Sequence, residues 1–89
     1  MERTRVNFVG RVQGVGFRAT ARECARSCAV SGWVRNEPDG SVMAEVQGSR
    51  QEIDRFLGLL RERMGGLIRA EHAYPATPDP SEDGFEIHR

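Results

Sequence analysis

The hydrophobic pattern of this chain changes period between Val12 and Phe17, and the change falls on two glycines, Gly14 and Gly16. From Thr4 to Val12 the residues alternate, with Val6, Phe8 and Val12 on one side and Arg5, Asn7 and Arg11 on the other, the period of a half-buried strand. From Phe17 to Val30 the apolar positions Phe17, Ala21, Cys24, Ala25 and Cys28 recur at helical spacing, with Arg22, Glu23 and Arg26 elsewhere around the turn. A strand that runs through a glycine loop into an amphipathic helix must bury one face of each, which commits the chain to packed layers of mixed elements.

The rest of the pattern names the layers. Residues 32–37 read as a second strand, and Pro38-Asp39-Gly40 has proline early and glycine late, as a tight turn requires. A third strand is predicted over Ser41 to Gln47, with Val42, Ala44 and Val46 set against Met43, Glu45 and Gln47. Ser49-Arg50-Gln51-Glu52 fits a capping box, ahead of a second helical stripe of Ile53, Phe56, Leu57, Leu60 and Met64 that Gly65-Gly66 ends. A fourth strand runs from about Leu67 to Tyr74, and after Pro75, Pro78 and Pro80 the Phe85-Glu86-Ile87 alternation adds a short fifth edge strand.

The order β-α-β-β-α-β is the split βαβ, ferredoxin-like arrangement, an α+β sandwich. It predicts a four-stranded antiparallel sheet, with that fifth strand at its edge and two helices on one face. Strands one and two then run parallel with strand three between them, so the glycine loop and the end of strand two share one edge of the sheet.

Length and charge exclude several functions. At 89 residues and 9.9 kDa there is material for one core, and a single domain over 1–89 is expected. All 13 positive side chains are Arg, so chemistry that needs a lysine, a Schiff base or a P-loop, has no residue to perform it. A balanced charge and pI near 6.7 argue against generic nucleic-acid binding. No apolar run approaches a membrane span and no signal-peptide core follows Met1, so a cytoplasmic location is expected. The balance is nonetheless uneven. Up to Arg35 the chain holds seven Arg against two acids, a charge of +5, and the remainder carries −5.

The loop Gln13-Gly14-Val15-Gly16-Phe17-Arg18 opens a helix, where unpaired N–H groups and the dipole favour an anion. Two glycines let the amides turn inward as a nest. Arg18 sits in the first turn, where the dipole disfavours a cation by about 0.3–1 kcal/mol, and a bound anion removes that conflict. Alternatively, the glycines make only a tight turn and Arg18 is solvated. Gly14-Val15-Gly16-Phe17-Arg18-Ala19 also satisfies the dinucleotide fingerprint, with Glu37 or Asp39 about 20 residues on. A Rossmann unit needs more parallel strands than this chain supplies, so that reading is set aside. Asn36, on the same sheet edge, can orient a water without ionising; as a turn residue entering Glu37-Pro38-Asp39-Gly40 it needs no such role.

Gly10-Arg11-Val12-Gln13-Gly14-Val15-Gly16-Phe17-Arg18, together with Gly32-Trp33-Val34-Arg35-Asn36 and Asp39-Gly40-Ser41-Val42, closely resembles the acylphosphatase family. The resemblance covers essentially the whole chain, including the closing Gly84-Phe85-Glu86-Ile87; only Cys28-Ala29-Val30-Ser31 is less typical. It implies hydrolysis of acyl phosphates to a carboxylate and inorganic phosphate, with no metal and no cofactor. By motif position, Arg18 binds the phosphoryl group with the amides of Gln13, Gly14, Val15, Gly16 and Phe17, and Asn36 holds the attacking water. The partners expected are a small acyl phosphate and inorganic phosphate as product and inhibitor, with no nucleic acid and no membrane, for a monomer. Similar domains begin larger carbamoyl-phosphate-handling maturation proteins; the start at Met1 argues for a free-standing enzyme.

Other residues read as scaffold. Cys24 and Cys28 lie on the apolar stripe of helix one as small hydrophobes. His72 and His88 have no partner in sequence, and Trp33 reads as core or sheet-face packing. Two rival functions stay open: a non-catalytic anion-binding module, and an RNA-binding domain, disfavoured because strand three lacks base-stacking aromatics.

Overall fold

The chain forms β1 (Glu2–Gly10), α1 (Phe17–Arg26), β2 (Val30–Asn36), β3 (Val42–Gly48), α2 (Arg50–Met64), β4 (Ile68–Pro75) and β5 (Phe85–His88), in a computed structural model that describes residues 1–89. The sheet order is β4-β1-β3-β2-β5. Because β3 pairs antiparallel with both β1 and β2, those two strands run parallel with β3 between them. The split βαβ expectation therefore holds, and it fixes where the first loop and the end of β2 lie.

The sheet is mixed. β5 pairs parallel to β2, Gly32 opposite Phe85 and Val34 opposite Ile87, so the fifth strand extends the sheet beyond β2. β4 and β5 form the two edges of the sheet, so the connection from Ala76 to Gly84 has to span its width.

The inner face contributes Val6, Phe8, Val34, Val42, Ala44 and Val46 to the core. Phe17, Ala21, Cys24 and Ala25 from α1 and Ile53, Phe56, Leu57, Leu60 and Met64 from α2 close over them. Cys24 and Cys28 are free and pack as small hydrophobes.

Element ends depart from the periodicity for local reasons. β1 stops at Gly10, two residues before the alternation does, because the register shifts between Val9 and Gly10 and Arg11 N–H donates to the Leu67 carbonyl instead (2.9 Å). α1 ends at Arg26, four residues early, because Val30 is taken into β2 opposite Gly48. Ser27 and Cys28 amides close its last turn by short bonds to Cys24 and Ala25 carbonyls. Only half of the capping box forms: Ser49 Oγ accepts from the Glu52 amide, but the Glu52 carboxylate turns to the Ala29 amide at 2.8 Å and ties α2 to the exit of α1.

The outer face explains the uneven charge. Arg3 is 6% exposed, and its guanidinium meets Glu45, Gln47 and both carboxylate oxygens of Glu82, at 2.9 and 3.0 Å. Arg5 shares Glu45, and Arg35 pairs with Glu37. Arg3 and Arg5 thus meet acids of the negative segment from other parts of the chain, and Arg35 meets one two residues on.

Candidate active site

Val12 is fully buried, and the Phe17 ring packs against Phe8 with centroids 5.0 Å apart. Gln13 to Gly16 is therefore an arch held at both ends by the core. Gly14 and Gly16 have φ of 75° and 77°, and a Cβ at either would meet nothing within 4 Å. Their backbone conformation, not space, requires glycine. Gly16 caps α1 without a side chain, and no acid occupies the first turn. None of the amides from Gln13 to Ala19 donates to a protein acceptor, so the positive end of the helix presents its N–H groups outward.

Arg18, half-buried in that first turn, takes part in none of the molecule's ion pairs. Asn36 is the last residue of β2, opposite Val42. Strand alternation places it on the face of Val34, toward the helices. Gly14, Gly16, Phe17, Arg18 and Asn36 line one cleft of about 380 Å³, with Val12, Ala19, Ile87 and Arg89 completing the wall. The five come from sequence segments that only the sheet order brings together.

Two of the predicted loop residues stand apart from that wall. Val15 points outward and is 38% exposed. The Gln13 side chain turns to the β2–β3 hairpin, where Nε2 donates to the carbonyls of Glu37 at 2.7 Å and Ser41 at 2.8 Å. The hairpin is itself braced: Asn7 Nδ2 donates to Ser41 Oγ (2.9 Å), which donates to Asp39 Oδ1 (2.6 Å). The Ser41 hydroxyl, with its amide, holds the Asp39 carboxyl below the usual carboxylate range.

The cleft wall is rich in donors. It includes two arginines and Asn36, and no carboxylate side chain, imidazole or thiol. No group of three or more His, Cys, Asp or Glu is arranged to hold a metal ion, and no helix is long and apolar enough to cross a membrane. Such a site suits a small anion with several oxygens, which amides and a guanidinium fork can surround.

The sequence model of the acylphosphatase family matches residues 4–87. The chain belongs to the acylphosphatase family. An acylphosphatase of Roseiflexus sp. is 51% identical over 88 residues, 98% of this chain and 95% of that one. An acylphosphatase of Anaeromyxobacter dehalogenans is 44% identical over 85 residues, 96% of this chain and 77% of that one. The crystal structure of acylphosphatase from Bacillus subtilis superimposes with a TM-score of 0.90 at 26% identity, covering all of both chains. The acylphosphatase fold is therefore common to this chain and to a relative of low identity.

Sequence reasoning missed Ile87 and Arg89 as wall residues. They lie far along the chain from the glycine loop and reach the cleft because β5 pairs with β2. The alternation around Phe85 gave the strand but not its partner. Trp33 packs on the outer sheet face, stacked on His88 at 5.3 Å with the Arg35 guanidinium 4.8 Å from its centroid. His88 thus has an aromatic partner that sequence order concealed, while His72 faces solvent.

Proposed function

We propose that this acylphosphatase-family enzyme hydrolyses acyl phosphates to a carboxylate and inorganic phosphate by direct in-line attack of water. The observation that carries the reading is the convergence, on one cleft wall, of Arg18, the unpaired amides of the glycine arch and Asn36. Phosphoryl transfer gathers charge on three equatorial oxygens, and catalysis comes mainly from placing the reactants and stabilising that charge. The arch amides and the Arg18 fork meet those oxygens, and Asn36 orients the water.

The leaving group is a carboxylate, stable without a proton, so the cleft needs no general acid. With no thiol, imidazole or carboxylate side chain on the wall, water is the nucleophile and its proton passes to a phosphoryl oxygen. No phosphoryl-enzyme forms. Residues 1–89 act as one cytoplasmic monomeric unit that requires no metal.

The test is hydrolysis of benzoyl phosphate by the purified protein in excess EDTA. Acceleration with competitive inhibition by inorganic phosphate is expected. Tight phosphate binding without turnover would replace this reading with that of an anion-binding module, and loss of activity in EDTA would overturn the metal-independent mechanism. Size-exclusion chromatography with light scattering should give one chain per particle.

A further inference from the structure

We propose that the Gln13 side chain is a positioning residue that sets the distance between the glycine arch and Asn36, and so the line along which water meets phosphorus. This rests on the assignment of the cleft to acyl phosphate hydrolysis.

Val12 and Phe17 fix the two ends of the arch to the core, but they belong to the segment that leaves β1 and enters α1. The hydrogen bonds that join the arch to the hairpin are the two from Gln13 Nε2. Both amide protons are used, and reversing the amide would set its oxygen against two carbonyls, so the orientation is fixed.

The carbonyls it grips are significant. Glu37 N–H donates to the Ser41 carbonyl at 2.9 Å, forming the rung immediately after the pair Asn36 and Val42. Gln13 therefore holds the rung next to Asn36. The Asn36 side chain has no hydrogen bond within the protein, so its backbone sets where its amide stands. It also ends a strand, where pairing is least secure.

One of these bonds is exposed and the other part-buried, and side-chain bonds of this kind contribute about 1 kcal/mol or less to stability. Their effect on geometry can be larger, because a displacement of about 1 Å at a reacting pair can cost about 100-fold in rate.

The experiment compares Gln13→Met, which keeps size and removes both donors, with Gln13→Glu, in the wild-type and Asn36→Ala backgrounds. The readouts are kcat and KM on benzoyl phosphate, the inhibition constant of inorganic phosphate, and thermal unfolding as a check on folding. Gln13→Met should lower kcat by about tenfold or more while changing the phosphate constant by less than about threefold. In the Asn36→Ala background the same change should shift kcat by less than about twofold, because the residue it acts through is gone.

Gln13→Glu supplies a pH readout. The introduced carboxyl donates only when protonated, so the kcat of this variant relative to wild type should rise as pH falls toward about 4.3. A merely structural role would give no background dependence, and simple repulsion of the anionic substrate by the new carboxylate would persist in the Asn36→Ala background, where the positioning effect is lost. Equal kcat losses in both backgrounds, or an unchanged kcat in either folded variant, overturn the proposal. If wild type itself does not hydrolyse benzoyl phosphate, the assignment of the cleft fails and this inference with it; if wild type is active and Gln13→Met matches it, only the inference fails.

Discussion

Arg18 and Asn36 stand on different elements, the first turn of α1 and the last residue of β2, and line the same cleft. Their chemistry differs, so their losses should separate. In the proposed mechanism Arg18 holds charge that is present in both substrate and transition state. Arg18→Ala should therefore raise KM and the phosphate inhibition constant and also lower kcat, and Arg18→Lys should restore charge without the planar fork. Asn36→Ala should lower kcat by about 100- to 1,000-fold, as removal of a transition-state donor does, with KM nearly unchanged. Steady-state kinetics on benzoyl phosphate check both, and a pure KM effect at Asn36 would contradict water orientation.

The glycines predict a second contrast. At Gly16 a Cβ meets nothing within 4 Å but φ is 77°, whereas at Gly32 it would lie 1.9 Å from the Glu45 carbonyl oxygen. Gly16→Ala should fold, with a loss of about 1–2 kcal/mol for a left-handed alanine and a fall in activity as the arch amides tilt. Gly32→Ala should give no native protein, because β2 and β3 cannot approach. Circular dichroism and urea titration of the two variants distinguish them.

The element order was legible because each switch of period coincides with glycine or proline, from Gly14 and Gly16 to Pro38-Asp39-Gly40. The strand order followed from it, and with it the meeting of the loop and Asn36. Residues whose meaning depends on a distant partner were not legible. Arg3 lies before the alternation that begins at Thr4 and carries no local signal of burial, yet Glu82 and Gln47 bury it from far along the chain. Ile87 reaches the cleft only through parallel pairing that no local pattern encodes. By sequence Gln13 is a loop residue contributing its amide, and the two carbonyls its side chain grips lie 24 and 28 positions away.

The outer-face ion cluster predicts acid sensitivity. Burial alone would raise the Glu45 carboxyl, but hydrogen bonds from Arg3 and Arg5, and their charges, hold it below its ordinary value of 4.5. A carboxyl depressed in the folded state binds fewer protons there than in the unfolded chain, so its stabilisation is present at neutral pH. It is lost as pH falls from about 4.5 through the lower folded value. Urea unfolding at pH 7 and pH 3 should show wild type losing more stability than Glu45→Gln over that interval. Arg3→Met at pH 7 should cost about 3–5 kcal/mol, because it takes a guanidinium from the buried Glu45 carboxylate and leaves the half-buried Glu82 without its arginine.

The arginines of α1 predict a salt effect. Arg18, Arg22 and Arg26 are spaced four apart on one face of the helix, and neither Arg22 nor Arg26, both exposed, has an acidic partner. Arg22 lies about 6 Å along the axis from Arg18, inside a Debye length of about 10 Å at 0.1 M salt. Its field therefore extends toward the cleft and favours an anionic substrate. Arg5, on the opposite face of the sheet and paired with Glu45, should contribute little. Arg22→Gln should lower kcat/KM for benzoyl phosphate by about twofold at low ionic strength and leave it unchanged at about 0.5 M salt, where screening shortens the reach of the charge. Arg5→Gln should leave the salt dependence as in wild type. If the two variants show the same salt slope, the helix arginines do not steer substrate, and the positive segment serves only the sheet.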